Sequence, residues 1–188
     1  MTIQPAGTEV GYTVTWLQMT ERPSYDWPHL PANQSASLLH AVKPPRWYFL
    51  SLYDAVGRHY AWEDAHDRDP QELQSWLGED KVDLFTLMGD GWPQGFFLLD
   101  ARSPEVTDLS YFGLVPEAVG KGLSTFLLRT AILTAWQREG LRVLTVNTCT
   151  LDHPRALQTY QKNGFTPEHR KTFKRILKRP RNLALIPD

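Results

Sequence analysis

Leu109 to Thr130, LSYFGLVPEAVGKGLSTFLLRT, carries a mostly apolar strand into a Pro-Glu-Ala-Val turn, a Gly-Lys-Gly loop and then a helix. A strand that feeds a glycine loop at the head of a helix aims several unpaired backbone N–H groups, and the positive end of the helix dipole, at one point in space. Phosphate binds at such a point. Gly120 and Gly122 lack Cβ atoms, which permits positive φ and close approach of an anion, and Lys121 between them adds a full positive charge. Two familiar phosphate loops are excluded by spacing. A Walker loop needs four residues between its first glycine and Gly-Lys-Ser/Thr, whereas six residues separate Gly113 from Gly120 and Lys121 is followed by Gly122. A dinucleotide fingerprint starting at Gly120 would need a third glycine where Thr125 stands, and no strand-helix-strand unit opens the chain. From these residues alone an anion-binding loop and a helix start with glycines for a tight turn both remain open.

Working outward, Val106 to Val115 reads as the strand before the loop, and residues 123–139 as a helix with Leu123, Phe126, Leu127, Ala131 and Ala135 on one stripe, stopped by Gly140. A strand over 141–149 and a short helix over 154–163, stopped by Gly164, follow. Upstream, 82–88 and 95–99 flank Gly-Asp-Gly-Trp-Pro and read as a β-hairpin with a loop of four to five residues. Asp69-Pro70-Gln71-Glu72 supplies an N-cap, a proline at the first helical position and a capping-box glutamate, so a helix is expected over 69–77. Residues 47–62 place apolar side chains at 49, 52, 53, 56 and 60, the stripe of an amphipathic helix. Residues 11–19 alternate as a strand with Tyr12, Val14 and Trp16 on one face. Residues 21–45 hold five of the fourteen prolines and read as a long irregular surface excursion.

With 188 residues, 41% of them hydrophobic and 22% charged, the chain can build one domain with a substantial core, and a single soluble domain over 1–188 is expected. No apolar run approaches a bilayer's thickness and the N-terminus lacks a basic start and an apolar signal core, so a cytoplasmic protein without membrane partners is expected. The single cysteine, Cys149, excludes an intrachain disulfide and a multi-cysteine zinc site. A net charge of −1 gives no global pull toward nucleic acid. An antiparallel hairpin followed by strand-helix-strand is an α+β pattern, with helices on both faces of a mixed sheet.

Two segments together carry a family resemblance. The loop at 119–124, and NTCTLDHPRALQTYQKNGF at 147–165 with its Ala-x-x-x-Tyr-x-x-x-Gly-Phe, resemble the GNAT superfamily of acyl-CoA-dependent N-acyltransferases, over about residues 81–167. The family's pyrophosphate loop reads Gln/Arg-x-x-Gly-x-Gly/Ala, and in that register Val119 replaces the polar residue, Gly122 matches, and Ser124 replaces the small apolar one. The resemblance implies a mostly antiparallel central sheet whose fourth and fifth strands, here 106–115 and 141–149, splay apart to admit the pantetheine arm of acetyl-CoA. The donor would lie against Leu114, Val115, Val119, Gly120, Lys121, Gly122, Leu123 and Ser124. Asn147 would face the pantetheine or the acceptor. His153 stands where the family usually has asparagine, and it either bonds CoA or caps the helix beside Pro154, capping being preferred.

The implied chemistry is direct transfer of an acetyl group to a primary amine on a small molecule or peptide. Tyr160 falls where the family places a tyrosine beside the CoA sulfur, as general acid, or else simply packs helix against sheet. Asp108 falls where some members carry a carboxylate that deprotonates the amine through water, its alternative being a solvated strand start. Cys149 is read as buried filler, not a nucleophile. The region Tyr60 to Asp69 would cover the acceptor entrance, with Tyr60, Trp62, Glu63 and Asp64 favouring a small protonated amine. His59, Glu63, Asp64, His66 and Asp67 are read as a solvated rim rather than ligands, and no metal is expected. Arg170 to Arg181 carries seven Lys/Arg and no acid, read as a final strand with a basic outer face. The alternative function is a catalytically inactive domain of this fold that contacts nucleic acid or another partner through that segment. A homodimer is left open.

Overall fold

The computed structural model describes residues 3–186. Eleven-residue strand β2 (Glu9–Met19) follows a two-residue β1 (Ile3–Gln4), and β3 (Ala36–Ala41) leads to helices α1 (Arg46–Gly57), α2 (Asp64–Asp67) and α3 (Pro70–Leu77). Then come β4 (Val82–Gly89), β5 (Trp92–Asp100), β6 (Val106–Leu114), α4 (Leu123–Trp136), β7 (Val143–Cys149), α5 (Ala156–Lys162), β8 (Thr166–Ile176) and β9 (Arg181–Asn182). Seven strands form one sheet in the order β3-β4-β5-β6-β7-β2-β8, and β1 pairs with β9 in a separate ribbon. Every neighbour in the large sheet is antiparallel except β6 and β7. This is the mixed α+β architecture expected, with helices flanking the sheet. No helix among the described residues is long and apolar enough to cross a membrane.

Local chemistry accounts for the elements. Helix α3 starts where the Asp69 carboxylate accepts the N–H groups of Gln71 and Glu72 at 2.9 and 3.0 Å, with Pro70 at the first position where no donor is needed. Helix α1 buries Phe49, Leu52, Tyr53 and Val56 along one stripe, each worth roughly 1.5–3 kcal/mol relative to exposure. It ends five residues earlier than the apolar spacing suggests, because the Trp62 indole packs onto Gly57, where an added Cβ would lie 2.4 Å from the side chain. The aromatic ring of Phe49 stacks edge-on with Tyr111 of β6 and Phe96 of β5, which fixes α1 against that sheet face. Helix α4 packs on β5, β6 and β7, and its buried Leu127, Leu128, Ala131 and Ala135 join the same core.

Two expectations are corrected. The 21–45 stretch is not irregular throughout, since Ala36–Ala41 pairs with β4 and forms the sheet edge. Its weak apolar pattern reflects an edge strand with a half-exposed burial profile. The hairpin loop is two residues, Asp90 and Gly91, both at positive φ as a primed hairpin turn requires, rather than four to five. Trp92 and Pro93 belong to β5, and the proline is accommodated because the register shifts between Leu87, paired with Gly95, and Met88, paired with Pro93. The basic segment is a strand only in part: residues 170–176 lie in β8, paired along β2, Lys178 and Arg179 follow it, and Arg181 is buried in β9.

The feature that positions the site is the junction of β6 and β7. They pair in parallel only over Val106, Thr107 and Asp108 against Val143, Leu144 and Thr145, and no further pairing is made toward Leu114 and Cys149. The two strands part after the third pair, and the gap opens between them.

Candidate active site

The gap between β6 and β7 leads into a cavity of about 540 Å³. At one end lies the glycine loop. Gly120 and Gly122 have φ of 84° and 78°, and Gly122 is the N-cap of α4. The amides of Gly120 and Gly122 donate to no described residue, so N–H groups stand at the head of a helix with their capacity unspent. A Cβ built on Gly120 meets nothing within 4 Å, which leaves an open cradle there; one on Gly122 would come 3.2 Å from Pro31 Cγ. Leu114, Val119, Gly120, Gly122 and Ser124 line the cavity, whereas Val115, Lys121 and Leu123 do not. Val115 donates its N–H to the Gln94 carbonyl at 3.0 Å and Leu123 sits in the core, while the Lys121 ammonium lies 5.6 Å from the centre of the Trp92 ring. Open amides on a helix terminus and an apolar slot continuing between strands fit an extended phosphate-bearing ligand.

Midway along the cavity is Tyr160 on α5, 6% exposed, its ring held edge-on by Phe112 and Phe165. Its hydroxyl bonds to no described residue. Burial, with smaller contributions from the carboxylates of Asp152 and Asp108, pushes its pKa well above the ordinary phenol range. Asp108 lies where the strands part, and it does not itself line the cavity. Its Oδ1 accepts the Thr145 hydroxyl and its Oδ2 the Ser110 hydroxyl, each at 2.7 Å. Burial raises its pKa above the usual carboxylate value despite those two bonds. Ser110 does line the cavity, so the carboxylate meets it through that hydroxyl. Asn147 is exposed on the cavity wall, opposite Trp16 in the sheet. His153 also lines it and accepts the Arg155 N–H through Nδ1 at 3.1 Å; it does not cap α5, whose N-cap position is Arg155 and receives no side-chain capping bond. The Cys149 thiol is pushed up to about 11, chiefly by burial, and therefore stays protonated at neutral pH.

The opposite end is built from Tyr53, Tyr60, Trp62, Asp64, Tyr12 and Arg175. Trp62 is a wall as much as a surface: its Nε1 donates to Asp152 Oδ1 at 3.0 Å and its indole packs on Tyr53. Glu63 does not line the cavity. Only 5% exposed, it accepts the Lys178 N–H at 3.1 Å. Asp64 does line it, but its carboxylate accepts Arg175 Nη2 at 2.6 Å, so the negative charge foreseen here is matched by a guanidinium. Of the rim residues, His66 bonds Asp54 at 2.7 Å and Asp67 pairs with Lys178. Among the described residues no three His, Cys, Asp or Glu stand close enough to hold a metal.

Of the residues singled out from the sequence, the structure brings Gly120, Gly122, Tyr160, Asn147 and Trp62 to one cavity, and it adds Ser110 and Arg175 to the same wall. Ser110 carried a signal, two residues after Asp108 on the same strand face. Arg175 carried none, because only the fold brings β8 beside residues 61–64.

The sequence profile of the acetyltransferase (GNAT) family matches residues 45–165. No curated protein matches the chain. Among solved structures, the fold resembles a tandem GNAT protein from the clavulanic acid biosynthesis pathway, with TM-score 0.63 at 16% identity over 88% of this chain and 53% of that one. It resembles a conserved protein of unknown function from Staphylococcus epidermidis, with TM-score 0.59 at 13% identity over 93% of this chain and 63% of that one. An aminoglycoside N-acetyltransferase in complex with CoA gives TM-score 0.55 at 19% identity over 75% of this chain and 95% of that one. The chain thus spans between half and two thirds of the length of the first two.

Proposed function

The chain belongs to the acetyltransferase (GNAT) family, and on that premise we propose that it moves an acetyl group from acetyl-CoA to a primary amine of a small molecule or peptide. The observation that carries this is the continuous cavity from the open amides of the glycine loop, through the slot between β6 and β7, to the hydroxyl of Tyr160. The pyrophosphate rests on the backbone of Gly120 to Ser124, and the pantetheine arm lies between the strands.

The neutral amine attacks the thioester carbonyl; the C–N bond forms, the C–S bond breaks, and the nitrogen sheds a proton. That proton passes to the Ser110 hydroxyl as its own proton moves to Asp108 Oδ2, whose basicity burial raises. Tyr160 faces the departing sulfur. A thiol titrates near roughly 8.5 and this phenol above its ordinary value of roughly 10, so complete transfer from tyrosine to thiolate is uphill. Its service is a hydrogen bond that strengthens as charge gathers on sulfur, in a site shielded from water.

Acetyl-CoA is expected to raise the melting temperature, and a thiol-release screen over amines, amino acids, aminoglycosides and peptides to find an acceptor. Absence of both effects refutes the proposal.

A further inference from the structure

Arg175 lines the cavity, and the chemistry above has no use for it. It lies on β8 opposite Val10 of β2, and its side chain runs beneath residues 61–64 with only 18% of its surface exposed. Nη1 donates to the Ala61 carbonyl at 3.0 Å, Nη2 to Asp64 at 2.6 Å, and the guanidinium carbon stands 5.5 Å from the centre of the Tyr12 ring. Ala61 reaches that carbonyl position with φ of 57°, a conformation non-glycine residues seldom adopt. A guanidinium has five N–H donors, and these two bonds leave the others without a described partner.

Its counterion is unequal to it. Asp64 is 77% exposed and sits on a four-residue helix, so water competes for it and little holds the pair closed. The cavity's other nearby carboxylate is engaged, since Asp152 accepts from Trp62, Thr148 and the Cys149 amide. Glu63 accepts the Lys178 N–H through Oε1, its buried Oε2 has no hydrogen-bond partner among the described residues, and its charge reaches Arg175 more weakly than that of Asp64. The wall at this end carries the phenols of Tyr12, Tyr53, Tyr60 and Tyr111, neutral at pH 7, with His153 edge-on to Tyr60. A fixed, mostly buried fork with open donors in a wall of neutral tyrosines, gated by a solvated acid, is a receptor for a planar anion.

We infer that Arg175 recognises the acceptor, and that the acceptor is an amine bearing a carboxylate, of the amino-acid type, whose carboxylate takes the guanidinium in place of Asp64. The inference rests on the acetyltransferase reading and narrows it. It reverses the expectation of a purely cationic amine drawn from the acidic residues at 63 and 64.

The test is a thiol-release assay on matched acceptors, each amino acid beside its carboxamide and its decarboxylated amine, with wild type, Arg175→Gln, Arg175→Lys and Asp64→Asn. The wild type should prefer the carboxylate member by about 10- to 100-fold in kcat/KM, the worth of charge-assisted bonds. Arg175→Gln should abolish that preference by raising KM for the carboxylate while sparing the carboxamide, and Arg175→Lys should restore part of it. Asp64→Asn, which removes the competing anion, should lower KM for the carboxylate; a merely structural ion pair would leave KM alone. Carboxamides and simple amines used as well as the acids, or Arg175→Gln lowering turnover of all three equally, overturns this inference and leaves the transferase reading standing. Failure to bind acetyl-CoA and to acetylate any amine overturns both.

Discussion

Replacing Gly120 with alanine separates a backbone effect from a ligand effect. At φ of 84° an alanine sits in the left-handed region, which costs roughly 1–2 kcal/mol whatever surrounds it. In a chain of this size each 1 kcal/mol moves Tm by about 2–4 °C, so the unliganded variant should melt roughly 2–8 °C lower. The new methyl meets no protein atom within 4 Å, so no packing penalty is added. It stands instead in the space where the anion must approach the amides. At a ligand concentration 100 times Kd, acetyl-CoA stabilises the wild type by about 2.7 kcal/mol. Losing one or two charge-assisted N–H bonds, at roughly 1.5–3 kcal/mol each, should bring that to about 1.3 kcal/mol or less. Gly140→Ala is the matched control, because Gly140 has φ of 80°, nothing within 4 Å of its added Cβ, and no place in the cavity. Scanning fluorimetry with and without acetyl-CoA should show both variants melting lower and only Gly120→Ala losing its ligand shift. An undiminished shift in Gly120→Ala, or an equal loss in Gly140→Ala, refutes the placement of the pyrophosphate.

Tyr160→Phe should lower kcat by about 10- to 100-fold and leave acetyl-CoA affinity nearly unchanged in a steady-state assay, because the hydroxyl acts on charge that appears only as sulfur leaves. Asp108→Asn should lower kcat/KM while leaving acetyl-CoA affinity nearly unchanged, because it removes the group that takes, through Ser110, the proton the attacking nitrogen sheds. The same variant has a signature in stability: a carboxyl whose folded pKa is raised favours folding below its unfolded value of roughly 3.9, and that contribution is lost as pH rises through the folded pKa. Asp108→Asn should therefore melt higher than wild type at pH 7, with the gap closing toward about pH 4. Gly57→Ala drives a methyl to within 2.4 Å of the Trp62 side chain and should cost roughly 1–3 kcal/mol by chemical denaturation, loosening the acceptor wall.

The parts of this fold that local chemistry dictates were legible in the chain. Asp69-Pro70 announced a helix start, Gly120-Lys121-Gly122 announced a glycine turn at the head of a helix, and Ala156 with Tyr160 and Gly164 marked the helix beside the cavity. Signals that depend on distant partners were not. Helix α1 ends at Gly57 because Trp62 folds back on it, which no periodicity over 47–62 reports. Residues 36–41 became a strand because β4 offered an open edge. The acidic run at 63–64 looked like a cation site until β8 brought Arg175 and the Lys178 amide to meet it. Asp108 was picked out for being a carboxylate on an apolar strand, but its route to the cavity through Ser110 required the separation of β6 from β7 to be seen.

The most direct measurement incubates the protein with acetyl-CoA and an amine panel, reading released thiol against N-acetylated product by mass spectrometry. Equimolar thiol and product from at least one primary amine, falling sharply in Tyr160→Phe, is the expected result. No acetylated amine and no acetyl-CoA binding, together with strongly salt-dependent binding of RNA or DNA through the basic face of β8, would contradict the account and select an inactive binding domain instead.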